Sequence, residues 1–274
     1  MRRSVKRVLG VIISVFVIGL SGPLAYAAAI HDAGQFTSNT LARNDDGSTG
    51  LVSIGFSANY FGTTYTDLYV NNNGNVTFNN PLSTFTPFDL LSTSVPIIAP
   101  FFGDVDTRNL GSGETQYGIG TIDGHNAFGV NWIDVGYYPQ AVDLLNSFQL
   151  IMIDRSDTGV GNFDFQFNYN QIQWETGNAS GGSGGLGGNS ARAGWSDGVV
   201  NSYEIAGSAV NGALLDSNTT SGLIYNSLNS NTLGQYVFQV RNGEVVGTVP
   251  EPASLALLGL GLAGLGFIRR RMAR

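Results

Sequence analysis

"NFDFQFNYNQIQW", Asn162 to Trp174, alternates between apolar and polar residues almost without error. Phe163, Phe165, Phe167 and Tyr169 fall on one side; Asp164, Gln166, Asn168 and Asn170 fall on the other. A period of two is the mark of a strand with one face in a core, because successive side chains leave the pleat in opposite directions. Apolar positions resume at Ile172 and Trp174, one step out of phase, and a β-bulge near Asn170–Gln171 accounts for the change. "QYVFQVRNG", from Gln235, repeats the alternation with Tyr236, Phe238 and Val240. Leu51–Phe56, Pro96–Phe102, Ala127–Val135 and Ser147–Asp154 are further strand candidates. "LYVNNNGNVTF", Leu68 to Phe78, reads as two short β-prone runs about Asn73-Gly74, a pair that supplies the positive φ angles of a hairpin turn.

Composition agrees with this reading. The chain has 274 residues, 38 of them glycine, with 11% aromatic and only 12% charged residues. Short strands joined by Gly/Asn turns suit those proportions; long helices want Ala, Leu, Glu and Lys. No amphipathic helical stretch exceeds two turns. "GNASGGSGGLGGNS", Gly177 to Ser190, is half glycine and is expected to be a loop within the domain, since strand-like sequence continues on both sides. The expected fold is all-β, an antiparallel sandwich-like domain. An N-terminal signal-peptide helix and a short C-terminal hydrophobic helix flank it.

The two ends read as addresses. Residues 1–27 carry four basic residues, then the apolar run Val8–Leu20, then Ala25-Tyr26-Ala27, a small-residue cleavage site centred on Ala25 and Ala27. At the other end, Leu255 to Ile268 is an apolar run holding Gly259, Gly261, Gly264 and Gly266. A helix of that length spans about 21 Å, short of a bilayer core of about 30 Å. Transient membrane association through residues 255–268 is therefore expected. Arg269, Arg270 and Arg271 would hold its end on the cytoplasmic side. Pro250 and Pro252, on either side of Glu251, keep the preceding segment extended, which suits a protease.

Between Ala28 and Thr248 stand five basic and 19 acidic residues, a net charge of −14. Such a body repels nucleic acid and anionic membrane surfaces, and it attracts divalent cations diffusely. There is no cysteine, so neither a thiol nucleophile nor a disulfide framework exists.

Chemistry-bearing patterns are few. Asp104 and Asp106 in "FFGDVDTR" would project from one strand face about 6.5–7 Å apart. Four readings stay open: Ca2+ binding, a catalytic carboxylate pair, contact with a partner, or a local role in which Asp106 caps the turn Thr107–Gly111 or pairs with Arg108. An EF-hand starting at Asp104 fails, because Asn109 stands where glycine is needed and Thr115 where the chelating glutamate is needed. "NDDGSTG", Asn44 to Gly50, is an acidic turn that would admit a cation or be an ordinary Asx turn. His31 is expected in a flexible end and His125 in a turn, which gives no zinc set and no triad. Trp132, Trp174 and Trp195 are either core residues or platforms for sugar rings.

Two resemblances follow from these residues. "VPEPASLALLGLGLAGLGFIRRR", Val249 to Arg271, resembles the PEP-CTERM sorting signal, with its tripeptide, short apolar helix and Arg cluster in the same order. That resemblance implies processing by exosortase in a Gram-negative bacterium that makes exopolysaccharide or biofilm matrix. "LYVNNNGNVTF", "PIIAPFFGDVDTR", "NSFQLIMIDRSDTGVGNFDFQFNYNQIQWETG" and "ARAGWSDG" occur in an order that resembles the nidogen-like (NIDO) extracellular domain. "LARNDDGSTG", from Leu41, looks like the lead-in of bacterial members. This implies an adhesion-associated module without established enzymatic activity.

The expected organisation is a signal peptide (1–27), a β lead-in (28–66), a nidogen-like domain (67–242), a linker with the PEP tripeptide (243–252) and a sorting helix with its Arg cluster (253–274). The expected protein is secreted and non-enzymatic, with a role in adhesion or in exopolysaccharide and biofilm matrix assembly. Its expected partners are the secretion machinery and exosortase in passing, then an extracellular polysaccharide or a surface protein, and no nucleic acid. A carbohydrate-binding module is the alternative, and a hydrolase a more distant one. The only cofactor in view is Ca2+.

Overall fold

The computed structural model describes residues 29–247. The expected terminal helices, the cleavage site at Ala25 and Ala27, the tripeptide Pro250-Glu251-Pro252 and the arginines Arg269, Arg270 and Arg271 lie outside the described residues.

Thirteen strands run through the described residues. The first six are β1 (Asn39–Thr40), β2 (Val52–Tyr60), β3 (Thr63–Asn71), β4 (Asn75–Thr77), β5 (Pro96–Phe102) and β6 (Thr115–Ile122). The remainder are β7 (His125–Tyr137), β8 (Ala141–Asp154), β9 (Phe163–Gln171), β10 (Arg192–Asp197), β11 (Ser202–Glu204), β12 (Gln235–Arg241) and β13 (Glu244–Val246). They form a seven-stranded sheet, β1-β6-β7-β8-β9-β12-β13, and a six-stranded sheet, β11-β10-β5-β4-β3-β2. Neighbouring strands are antiparallel in both. The expected all-β architecture is what the chain adopts.

The alternation of β9 sets the core. Phe163, Phe165, Phe167 and Tyr169 all enter the main hydrophobic cluster between the sheets. Phe165 pairs with Phe238 of β12, and their rings stack at 4.8 Å. Each such side chain taken from water contributes about 1.5–3 kcal/mol. The bulge is present: Phe148 pairs with Tyr169 and Ser147 with Gln171, so Asn170 is the extra residue. Beyond it Ile172 and Trp174 return to the same core. Ile172 leaves the ladder there. Its N–H donates to Asp216 Oδ1 at 2.9 Å, and its carbonyl accepts from the Asp216 N–H at 2.9 Å.

The polar side of β9 is covered as well. The segment Ala29–Phe36 crosses the outer face of the larger sheet. His31, expected in a flexible end, is instead fixed there: its backbone N–H donates to Gln149, and its ring Nε2 lies 3.2 Å from both Gln166 and Gln235. Phe36 closes a small second core with Ile122, Ala127, Ile151 and Ile153. On the outer face of the other sheet, Leu90 packs with Ile97, Ala99 and Phe102. This is why "PIIAPFF" is apolar at both parities. Asp164 stays buried because Arg155 and Arg241 pair with it at 2.9 and 2.6 Å.

Two substitutions test this account. Gly74 turns β3 into β4 with φ +72°, and a Cβ there would meet the Phe101 carbonyl oxygen at 1.8 Å. Gly212 has nearly the same φ, +75°, but no atom within 4 Å. Gly212→Ala is expected to cost about 1 kcal/mol of strain, and Gly74→Ala clearly more, read as the difference in urea midpoints. The Asp216 carboxyl is pushed up to about 6 by burial, against the pull of the Ile172 N–H. A raised carboxyl favours the fold while protonated, and that contribution is lost as pH rises from about 4 through 6. Asp216→Asn, which keeps an acceptor for Ile172, is expected to flatten the melting temperature over that range relative to the wild type.

Candidate metal centre

The β3–β4 turn is built on asparagine. Asn71, Asn72, Asn73 and Asn75 are all fully buried. The Asn71 amide donates to Asn75 Oδ1 at 2.8 Å and to Thr77 Oγ1 at 3.0 Å, while its oxygen accepts from Ser48 and from the Leu82 N–H. Asn72 Nδ2 donates to the carbonyls of Asp45 and Val105, each at 2.6 Å. Asn73 Nδ2 donates to Asp46 Oδ1 at 2.9 Å, and its oxygen accepts from the Val105 N–H at 3.0 Å. These amides draw two distant segments, Asn44–Gly47 and Asp104–Val105, onto one turn.

β5 ends at Phe102, so Asp104 and Asp106 follow the strand instead of sharing its face. The two are set to different work. Asp106 Oδ1 accepts from the Arg108 backbone N–H at 3.0 Å and from Arg108 Nε at 2.9 Å. Its Oδ2 accepts from the Gln140 N–H at 2.7 Å and pairs with Arg108 Nη2. Burial works to raise this carboxyl, but the bonds from Arg108 and Gln140 outweigh it and hold it below the usual range. Asp106 thus takes the local role, capping its turn and pairing with Arg108.

Asp104 turns elsewhere. Its carboxylate meets those of Asp45 and Asp46, and one oxygen from each lies within 4.8 Å of the others. Asp104 is only 2% exposed, and its Oδ2 has no hydrogen-bond partner among the described residues. Gly177 lies so close that a Cβ would meet this oxygen at 2.3 Å. Asp45 Oδ1 is also buried and unpartnered, while Asp45 Oδ2 faces Arg108 at 3.1 Å. Burial, then the charges of Asp45, Asp46 and Asp106, push the Asp104 carboxyl up to about 7. Burial and the neighbouring carboxylates likewise raise Asp45 to about 6, against the pull of Arg108.

The structure therefore parts the expected Asp104–Asp106 pair and replaces it with Asp45, Asp46 and Asp104. Asn44–Gly50 is an Asx turn, in which Asn44 Oδ1 accepts from the Gly47 N–H at 2.6 Å, and it also delivers two carboxylates. Local sequence carries no signal for this meeting, because about 60 residues separate the segments. The other candidates fall away from the centre. Trp132 and Trp174 are fully buried, with their ring N–H groups donating to the carbonyls of Asn72 and Val135. Both are core residues and offer no face to a sugar. Trp195 is 4% exposed and stacks on Phe61 at 5.4 Å. His125 opens β7 and sits 3.9 Å from Asp157, far from any cluster of ligands.

Comparison with known proteins fits this architecture. Alpha-tectorin of Gallus gallus is 32% identical over 239 residues, covering 78% of this chain and 10% of that protein. Alpha-tectorin of Homo sapiens is 32% identical over 228 residues, covering 73% of this chain and again 10% of the relative. The chain thus spans about a tenth of the length of these relatives. No solved structure matches it. The PEP-CTERM protein-sorting motif matches residues 248–271, the mark of an extracellular protein sorted by exosortase. The nidogen-like domain model matches residues 66–242, well over half of the sequence, and the chain belongs to the nidogen-like (NIDO) family.

Proposed function

We propose that this is a non-enzymatic surface or matrix protein of a Gram-negative bacterium, whose β-sandwich mediates adhesion or matrix assembly after exosortase has removed the tail. The pairing of a nidogen-like domain with a sorting motif on one chain carries this reading. Similarity to alpha-tectorin adds to it. Three features of the surface support contact through loops. Val160 is 94% exposed at the β8–β9 connection, and Val199 and Val200 are 79% and 81% exposed between β10 and β11. These tips lie at one end of the sandwich, opposite the carboxylates: the β8–β9 loop bonds to Asn59 near the end of β2, and Asp197 pairs with Pro96 at the start of β5. Apolar side chains held out on tight turns lose little entropy on binding.

A second reading rests on a cleft at the same end. Phe61, Trp195, Val200, Asn201, Ser202 and Glu244 line it, which combines an aromatic floor with polar edges in the manner of a sugar site. The extracellular polysaccharide is the ligand of that reading.

Replacing Val160, Val199 and Val200 together with serine tests the proposal in the native host. The variant is expected to be exported and folded normally but to lose most cell or matrix attachment. Normal attachment with all three valines gone would overturn the loop-contact reading. Loss of glycan binding on Phe61→Ala alone would favour the polysaccharide reading.

A further inference from the structure

The structure assigns a Ca2+ site to Asp45, Asp46 and Asp104, at the junction of the Asn44–Gly47 turn with the chain leaving β5. We propose that the ion fastens the lead-in segment to the nidogen-like body.

Three observations converge. The first is spacing. Ca2+ takes oxygens at about 2.3–2.6 Å, so two ligands of one ion lie at most about 5 Å apart. The three carboxylates meet that limit, each offering an oxygen within 4.8 Å of the others. The second is the state of the carboxylates: Asp104 is 98% buried, and both its Oδ2 and Asp45 Oδ1 are buried without a hydrogen-bond partner. Burying an acceptor without a partner is costly, and burying a charged one more so. The donors nearby are already committed: Asn73 Nδ2 to Asp46 and Thr84, Asn72 Nδ2 to backbone carbonyls, and Arg108 to Asp106 and Asp45. A cation is the partner that needs no donor. The third is charge. Arg108 pairs with Asp45 and Asp106, Asp46 and Asp104 add two more carboxylates beside Asp45, and a divalent ion removes most of that excess charge.

The chemistry selects the ion. All three side-chain ligands are hard carboxylate oxygens, while His31 and His125 lie elsewhere, so zinc and copper are poorly served. The ligands come from two separate loops and not from one regular element, which suits the tolerant coordination of Ca2+ better than the strict octahedron of Mg2+. Asp45 and Asp46 at the half-exposed rim leave an entry path, and water can complete the shell.

The test is calorimetric titration of the full chain, stripped with EDTA, with CaCl2 and separately with MgCl2, alongside thermal melting. One Ca2+ per chain is expected, with weaker binding of Mg2+ and a rise in melting temperature of several degrees at saturating Ca2+. Asp104→Asn and Asp46→Asn are each expected to weaken Ca2+ binding at least about tenfold. In EDTA, Asp104→Asn is expected to melt above the wild type, because it removes a buried charge that has no partner. A ligand role thus predicts that the effect of Asp104→Asn on melting changes sign between calcium and EDTA, whereas a merely structural role predicts the same sign in both. Asp46 sits at the rim, so Asp46→Asn keeps the test decisive if the Asp104 variant does not fold. No heat and no change in melting at about 5 mM CaCl2, or both variants binding Ca2+ as the wild type does, would overturn the site.

Discussion

Four buried asparagines, Asn71, Asn72, Asn73 and Asn75, hold one end of this sandwich together, and the geometry of that end follows from their need for partners. A side-chain amide without partners in an apolar interior costs roughly 1–3 kcal/mol. Here each donates and accepts within the turn or reaches a neighbouring segment. The neighbours are thereby fixed in space: the acidic turn through the Asp45 carbonyl and the Asp46 carboxylate, and the β5 exit through both backbone groups of Val105. Trp132 locks the arrangement from the core side by donating to the Asn72 carbonyl at 3.1 Å. Three carboxylates that repel one another are held close because this uncharged scaffold over-determines their positions.

What sequence disclosed and what it hid divides along contact distance. The strand character of β9 and β12, the bulge at Asn170 and the loop nature of Gly177–Ser190 are local, written in alternation or composition, and all are present. β6, "TQYGIGTI", carries no strand signal of its own, because its two glycines break the apolar rhythm. The alternation of β9 gives its second side polar residues, as on a strand with one face in a core. Asn168 is fully buried instead, because the Ala29–Phe36 segment lies across the sheet, and no pattern within β9 encodes a cover that comes from over 130 residues away. The candidate site has the same history. The sequence singles out Asp104 but pairs it with Asp106 on one strand face, while its union with Asp45 and Asp46 depends on which loops the sheet order brings together.

A chain without cysteine holds its fold without disulfides, so packing and polar pairing must do more. Two devices serve that end. Both outer sheet faces carry small apolar clusters of their own, Phe36 with Ile151 on one and Leu90 with Phe102 on the other, so each sheet buries side chains on both sides along part of its length. Buried carboxylates away from the Asp45–Asp46–Asp104 cluster are answered by backbone or arginine: Glu175 accepts from the Gly212 and Leu214 N–H groups at 2.6 and 2.7 Å, and Asp164 sits between Arg155 and Arg241. Asp104 is the exception to that habit.

The edges of the sheets bear on how such a domain would assemble. An open edge strand invites pairing with another chain unless it is short, bulged or covered. Three of the four edges here are two or three residues long: β1, β11 and β13. The fourth, β2, is long but broken by a register shift between Ser53 and Ala58, with Gly55 at φ +83°. Continuous β-augmentation therefore has little to template on. β13 also runs back from the β12–β13 hairpin, away from the end that bears Val160, Val199 and Val200. On the proposed adhesive role, contacts between molecules would therefore fall to the loops and not to the sheet edges.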